Sequence, residues 1–334
     1  MALYNASLSG GGSGSAVACP LGKVVVDGWF SEMTLPSIFT YGNAVVFNDE
    51  IHILGGNVSP KSHYKWNGKE WENVSTLPYS FRYGGAVVYN NQIHILGGQG
   101  GFTKHYKWNG SNWSTASTLP YDFGHNCVLV YNNEIYLLGS TGSSGWTKFY
   151  KWNGSSWSNV GNLPYYFSDG CAVVYNDEIH LLGSSNNGYY TKHYKWNGSS
   201  WSSASTLPYD FYCGTALVYN NEIHILGSSA NQSYFTNHYK WNGSNWSSVS
   251  TLPYDFYCGT ALVYKNFIHI LGSDKSNCQT NHYSLKNGTF LIGYAKKDSE
   301  IFYPISSTPI SDNLQATTDG YKVTADGKVE IMNL

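Results

Sequence analysis

The chain has little charge, and this scarcity excludes several classes of protein. Of its 334 residues, 19 are Lys or Arg and 21 are Asp or Glu, which gives a formal net charge of -2. Charged residues make up 12 % of the sequence, where an ordinary globular domain carries about a quarter. A protein that binds nucleic acid electrostatically needs clustered Lys and Arg. The sequence has no such cluster, and we predict no nucleic-acid partner.

Long apolar runs, a secretion signal and helical periodicity are also missing. No run approaches the roughly 18 apolar residues that a membrane helix needs, which predicts no membrane span. Residues 1–20 lack the basic start and apolar segment of a signal peptide, so we expect a protein made in the host cytoplasm without one. The 6 cysteines show no framework spacing, which predicts free thiols.

Aromatic residues and glycine are abundant, and the sequence repeats. It contains 12 Trp, 29 Tyr and 36 Gly. The dipeptide Leu-Pro recurs every 42 to 45 residues and marks six similar units. Its copies begin at Leu35, Leu77, Leu119, Leu163, Leu207 and Leu252.

Each unit has the pattern of four short strands. In the second unit the strands are predicted over Gly84–Tyr89, Gln92–Leu96, Lys104–Trp108 and Trp113–Ser117. Asn-Asn and Asn-Gly turns join them, and Asn-Gly is a strong hairpin signal because both residues tolerate positive φ. Four-stranded units repeated at about 40–50 residues predict the blades of a β-propeller.

The spacing of glycine and aromatic residues resembles the kelch repeat. The second unit matches it best, with Gly84-Gly85, Leu96-Gly97-Gly98, Tyr106 and Trp113. The resemblance covers residues 22–290 and implies an all-β, six-bladed kelch-type propeller. Kelch propellers include enzymes, adaptors and lectin-like binders, so the repeat alone does not determine the function.

The segments outside the repeats predict two extensions. Residues 1–21 are expected to form a flexible N-terminal arm, and residues 291–334 a C-terminal extension for attachment or oligomer contact. The extension should contain a β-hairpin around Ala325-Asp326-Gly327. Within the propeller region, residues 29–34 have the pattern of a fourth strand without its blade and are predicted to close blade six. Residues 289–294 compete for the same position.

Candidate binding residues lie in the connections between the second and third strands of each blade. In a propeller these connections share one face with those that link successive blades, and here they vary in length and sequence. Aromatic residues recur near their ends: Phe102, Trp146, Tyr189, Tyr190, Tyr234 and Phe235. They form either an aromatic arc that stacks on sugar rings or packing against neighbouring blades. In the links between blades, the carboxylates of Asp122, Asp210 and Asp255 either accept sugar hydroxyls or cap the turns.

The histidines and cysteines are candidates for metal binding or acid–base catalysis. Ten of the 11 histidines occupy two equivalent positions in five blades, where the third blade has Tyr136 and Phe149. Because both positions change together, we expect them to touch and to serve packing. Near the axis, His125, Asp169, Cys213 and Cys258 are chemically possible metal ligands. They lack short ligand spacing, which favours inert thiols, and we predict no cofactor and no catalytic residue.

The low charge, the surface rich in Asn, Ser, Gly, Tyr and Trp, and the near-identical units resemble the kelch-repeat virion proteins of tailed bacteriophages. That resemblance implies a non-enzymatic tail or surface component of the virion, present in many copies and attached to other virion proteins through its termini. Its propeller would bind host-surface or mucosal glycans. Two alternatives remain: an intracellular kelch scaffold that binds a protein on the same face, and a carbohydrate-active enzyme with an axial metal site.

Overall fold

The protein is a six-bladed β-propeller, as predicted. A computed structural model describes residues 22–125, 127–140, 146–186, 188–228, 235–297, 299–304, 321–323 and 329–331. No helix is present among these residues, and consequently none that is able to cross a membrane. The predicted arm at residues 1–21 lies outside the described residues.

The strands are numbered β1 to β27 in chain order, and the chain begins with β1 (Gly22–Ser31). Blade one contains β2 (Asn43–Phe47), β3 (Glu50–Leu54), β4 (Ser62–Trp66) and β5 (Trp71–Thr76). Blade two contains β6 (Gly85–Tyr89), β7 (Gln92–Leu96), β8 (Lys104–Trp108) and β9 (Trp113–Thr118). Blade three contains β10 (Cys127–Tyr131), β11 (Glu134–Leu138), β12 (Lys148–Trp152) and β13 (Trp157–Asn162).

The second half of the propeller repeats this order. Blade four contains β14 (Cys171–Tyr175), β15 (Glu178–Leu182), β16 (His193–Trp196) and β17 (Trp201–Ser203). Blade five contains β18 (Thr215–Tyr219), β19 (Glu222–Leu226), β20 (His238–Trp241) and β21 (Trp246–Ser248). Blade six contains β22 (Thr260–Tyr264), β23 (Phe267–Leu271) and β24 (His282–Lys297). Neighbouring strands within each blade are antiparallel.

The beginning of the chain supplies the fourth strand of blade six. The strand order in this sheet is β1-β24-β23-β22. Just beyond β1, the backbone N–H of Glu32 donates to the carbonyl of His282 at 2.8 Å. The innermost strand of blade six, β22, packs against β2 of blade one, so the circuit of blades is closed.

Two-residue turns join the first and second strands of the blades, made of Asn and Asp in five blades and of Lys265-Asn266 in blade six. Asn90 and Asn91 have φ of 47° and 54°, and the equivalent turns of the other blades are also left-handed. Asparagine tolerates this conformation better than most residues, which explains its repetition at these positions. The Asn-Gly turns are built differently, because only the glycine has positive φ, as Gly110 does at 98°, while the Oδ1 atom of Asn109 accepts the backbone N–H groups of Ser111 and Asn112.

The hydrophobic core lies between the blades. Six buried clusters are present, and each joins two successive blades. Each blade contributes a phenylalanine from the link that precedes its first strand, and these side chains are at most 1 % exposed. They are Phe39, Phe81, Phe123, Phe167, Phe211 and Phe256. Gly97 has φ of 63°, and a Cβ there would overlap the carbonyl oxygen of Phe123. Glycine is therefore required where the blades approach most closely.

The paired histidines touch within each of the five blades that have them, as predicted. In blade one, Nδ1 of His52 lies 2.8 Å from Nε2 of His63, and both side chains are buried. Four other blades have the same pair: His94/His105, His180/His193, His224/His238 and His269/His282. The second histidine also packs on a tryptophan of the next blade, as His105 does on Trp152 at a ring separation of 4.8 Å. In blade three, Tyr136 and Phe149 take this place at 5.5 Å.

The chain divides into two compact units, and the propeller is residues 28–286. The other unit contains residues 1–27 and 287–334. Within its described part, β24 pairs with β25 (Ser299–Pro304), and β26 (Tyr321–Val323) pairs antiparallel with β27 (Val329–Ile331). These last two strands flank the predicted Asp-Gly turn, which itself lies outside the described residues.

The buried histidine pairs predict that acid destabilises the fold. Burial lowers the pKa of His180 to about 4 and that of His193 to about 3, whereas an unfolded histidine titrates near 6.5. Below pH 6.5 the unfolded chain therefore binds protons that the folded chain does not. Stability should be highest above pH 6.5 and fall toward pH 4, by up to about 1.4 kcal/mol per pH unit for each such histidine.

The double substitution His180→Tyr and His193→Phe copies the pair of blade three and tests whether the buried histidines cause the loss of stability in acid. Denaturant unfolding at pH 7, 6 and 5 should show a smaller loss of stability than in the wild type, by an amount that matches about two fewer protons taken up. An unchanged pH dependence would contradict the assignment.

Candidate functional site

The two faces of the propeller differ in how their side chains are used. The hairpin face carries the two-residue Asn/Asp turns and the Asn-Gly turns. On it, the hydroxyl groups of Tyr131 and Tyr264 donate to the carbonyls of Asp177 and Asp49 in the next blade, both at 2.9 Å. The loop face carries the connections between second and third strands and the links between blades. The near-identity of the hairpin turns thus follows from their structural bonds.

Six residues surround the axis at the loop face, each two positions after a buried phenylalanine. All have left-handed φ between 51° and 59°. They are Tyr41, Tyr83, His125, Asp169, Cys213 and Cys258. Each backbone N–H donates to the carbonyl of its counterpart in the preceding blade at 2.7–3.1 Å, and Tyr41 closes the circuit by donating to Cys258. We call these residues the axial ring.

A second ring, two residues further along, joins the blades through side chains. Cys127 and Cys171 point their thiols at the carbonyls of Gly170 and Gly214, at 3.1 and 3.2 Å. Three other members make the same bond to the next blade: Asn43, Thr215 and Thr260. Burial and the neighbouring Cys171 thiol raise the pKa of Cys127 well above its usual value. These two thiols are therefore structural donors, in keeping with the inert role predicted for buried cysteines.

The side chains of the axial ring line one cavity of about 140 Å³. Tyr83 stacks on His125, with ring centroids 3.8 Å apart, and lies 4.4 Å from Tyr41. Burial raises the pKa of Tyr83, and burial together with the hydrogen bond to Asp274 raises that of Tyr41. The rings of Tyr41, Tyr83 and His125 thus lie next to one another along the wall of the cavity.

The four candidate metal ligands line the same cavity. They are His125, Asp169, Cys213 and Cys258. Asp169 accepts hydrogen bonds from Ser168 and Ser185 at 3.0 and 2.8 Å and lies 3.1 Å from Nδ1 of His125. Its oxygens are engaged by the protein itself. In the part of the chain that the structure describes, no group of three or more His, Cys, Asp or Glu is placed to hold a metal ion.

The aromatic arc occupies equivalent backbone positions on the loop face. The carbonyls of Phe102, Trp146, Tyr190 and Phe235 accept the backbone N–H of the buried phenylalanine in the following link, at 2.9–3.0 Å. Pro60 and Gln279 make the same bond in blades one and six. Because the backbone makes this bond in every blade, the side chain at this position is free to vary.

The exposure of the arc differs from blade to blade. Phe102 is 43 % exposed, whereas Phe235 is 6 % exposed. Lys275 covers Phe235 with its Nζ atom 3.9 Å from the ring centroid. Tyr190 lies 5.7 Å from Tyr212, and Tyr189 stacks on Tyr165 at 5.3 Å. Tyr234 lies outside the described residues. Exposed aromatic side chains and packed ones are therefore both present along the arc.

The three candidate aspartates lie in links between blades, held by their backbone. The carbonyls of Asp122, Asp210 and Asp255 accept hydrogen bonds from Ser140, Ser228 and Ser273 at 2.6–2.7 Å. In these blades serine stands at the position that Gly98 has in blade two, and its hydroxyl makes this bond. The side chains of Asp122 and Asp255 are exposed, and that of Asp210 is half-buried.

Tyr166 is a candidate that the sequence analysis missed. It takes the position of these aspartates in the link between blades three and four, and its carbonyl accepts the hydroxyl of Ser184 at 2.9 Å. Its side chain is 50 % exposed and lies 5.2 Å from the Trp146 ring. The sequence contains one signal for it, because tyrosine stands here where three other links have aspartate.

Comparisons with known proteins establish the fold and nothing finer. The chain is similar to the solved structure of YjhT, with a TM-score of 0.65 over 81 % of this chain and 99 % of that one. Sequence identity is 15 %, so the likeness concerns the fold alone. In all, 313 chains of known structure match, and a fold this widespread leaves the function open. No protein-family model and no curated protein matches the sequence.

The second ring makes a prediction about its cysteines. Replacing Cys171 with Ala removes the bond to Gly214 and leaves a carbonyl without that partner, which should destabilise the protein by about 1 kcal/mol. Cys171→Thr copies blades five and six, keeps a donor and should stay close to wild-type stability. Thermal unfolding followed by circular dichroism compares the two. Equal loss in both variants would show that the thiol contributes packing and no hydrogen bond.

Proposed function

We propose that the protein is a non-enzymatic binding module whose loop face binds host-surface or mucosal glycans. One observation carries the proposal. The backbone makes the recurring bonds between blades on this face, while large apolar side chains remain exposed there. Among the described residues, five large hydrophobic side chains are exposed, and three of them, Val58, Phe102 and Tyr166, lie in loop-face segments. Exposed apolar groups of this kind commonly mark binding surfaces.

Carbohydrate is the ligand class that the composition of this face favours. Tyrosine and tryptophan offer large rigid surfaces at little entropic cost. The surrounding loops supply neutral hydrogen-bonding groups, such as the half-buried amide of Asn186, together with exposed carboxylates at Asp122 and Asp255. Apolar ring faces flanked by hydroxyl partners suit a sugar, which presents both kinds of surface.

We further propose that the protein is a component of a bacteriophage virion, carried in many copies on the tail or the particle surface. The support is the resemblance of its composition and its near-identical units to kelch-repeat virion proteins. In this proposal the termini attach the chain to other virion proteins, and the propeller presents its loop face outward.

A glycan-array screen tests the binding proposal. The wild-type chain should bind a defined subset of glycans, and the double variant Trp146→Ala, Tyr190→Ala should lose that binding because both rings belong to the aromatic arc. Phe30→Ala is a matched control, since Phe30 is an aromatic residue 37 % exposed within strand β1 and outside the loop-face segments. Melting temperatures should confirm that all variants fold.

The absence of specific binding by the wild-type chain would refute the glycan proposal. Binding that persists at full strength in the double variant would refute the role of the arc.

A further inference from the structure

The junction of blades three and four carries a cluster of three loop-face aromatic side chains. Trp146 comes from the loop of blade three, Tyr189 from the loop of blade four, and Tyr166 from the link between them. The Tyr166 ring centroid lies 5.2 Å from Trp146 and 6.4 Å from Tyr189. Three loop-face segments thus converge on one half-exposed ring.

The backbone under this cluster is fixed, so its position does not depend on a ligand. The carbonyl of Tyr166 accepts Ser184 Oγ, and that of Trp146 accepts the backbone N–H of Phe167 at 3.0 Å. Tyr189 stacks on the buried Tyr165 with an interplanar angle of 22°. A site that is already formed loses less conformational entropy on binding than one that must be ordered.

The cluster also presents polar atoms. Within the described part of the chain, the hydroxyl groups of Tyr166 and Tyr189 make no hydrogen bond. Asn186 donates through Nδ2 to the carbonyl of Tyr166 at 3.3 Å, which leaves its Oδ1 atom as an acceptor. Two phenol hydroxyls and an amide oxygen therefore border the aromatic surface. A few fixed polar groups around an apolar patch orient a small ligand.

We propose that Tyr166 is the centre of a subsite for one neutral pyranose ring, with Trp146 and Tyr189 flanking it and Asn186 accepting a sugar hydroxyl. This inference rests on the proposed function and deepens it by naming the subsite. The sugar packs its C–H face on Tyr166 and directs its hydroxyls to the polar border. No charged side chain belongs to the cluster, which favours a neutral sugar over an acidic one.

Substitution at Tyr166 tests the subsite, because other blades supply a natural replacement. Tyr166→Asp copies the links that contain Asp122, Asp210 and Asp255 and keeps the carbonyl bond, so folding should be retained. Saturation-transfer NMR with methyl β-D-glucopyranoside, methyl β-D-galactopyranoside and N-acetylglucosamine is the assay. At least one of these sugars should receive saturation at its ring C–H protons, and its affinity should fall at least tenfold in Tyr166→Asp.

Two further variants separate a local subsite from a general effect. Tyr166→Phe keeps the ring and should bind within about threefold of the wild type. Phe30→Ala removes an exposed aromatic side chain of strand β1, outside the loop-face segments, and a single sugar should bind this variant as well as it binds the wild type. An equal loss of affinity in Phe30→Ala would overturn the assignment to this junction.

The failure of this inference is distinguishable from the failure of the proposed function. If the array shows glycan binding that the double arc variant loses and Tyr166→Asp retains, the subsite is overturned while the binding function stands. If neither the array nor any of the three sugars shows binding to the wild-type chain, both are overturned. Loss of sugar and array binding in Tyr166→Asp, with Phe30→Ala unaffected, supports the subsite.

Discussion

The closed ring of backbone hydrogen bonds around the axis is the constraint on which the rest of the propeller depends. Each member must adopt left-handed φ, which costs an ordinary L-residue about 1–2 kcal/mol. The conformation is stabilised because each backbone N–H donates to the carbonyl of the ring residue in the preceding blade. The bond from Tyr83 to Tyr41 begins this circuit, and the bond from Tyr41 to Cys258 closes it. One blade out of register would break two of these bonds. The near-constant repeat length follows from this requirement.

The ring also separates structural from variable positions on the loop face. Two residues before each ring residue, a buried phenylalanine donates its backbone N–H to a carbonyl of the preceding loop. In blades three to six, a serine hydroxyl donates to a carbonyl of the link between blades. In each of these bonds, the donor or the acceptor is a main-chain atom. Side-chain identity at Phe102 or Tyr166 consequently has little effect on blade geometry, and the repeat accommodates different surface residues from blade to blade. The hairpin face lacks this freedom because tyrosine hydroxyls hold its blades together.

Much of this architecture is predictable from the sequence, because its signals are local and repeated. The Leu-Pro spacing predicts the blades, and the Asn-Asn and Asn-Gly turns predict the hairpins. Blade three replaces both histidines at once, by Tyr136 and Phe149, which predicts that the two positions touch. Period-two alternation also places Tyr83 and His125 at the axis. These inferences need only the pattern of one blade and its copies.

The details of the site are less predictable, because they depend on distances between blades. Nothing local distinguishes Cys171, bonded to a glycine carbonyl, from a thiol open to the axial cavity. Phe235 and Phe102 occupy the same position in their loops, yet Lys275 covers only the former. The exposure of Tyr166 likewise depends on the loops on either side of it. Sequence identifies the face, and packing between blades decides which of its aromatic residues a ligand can reach.

The low charge of the chain determines how such a face has to work. With a net charge of -2, long-range attraction contributes little to encounter with a ligand, since electrostatic steering needs strong complementary fields. Affinity must then come from contact alone, and a subsite for one sugar ring offers a small contact area. Many weak sites held on one assembly bind far more tightly than each site alone, provided that their spacing allows simultaneous contact. A virion that displays many copies of the propeller would meet this condition, which links the chemistry of the loop face to the proposed multi-copy arrangement.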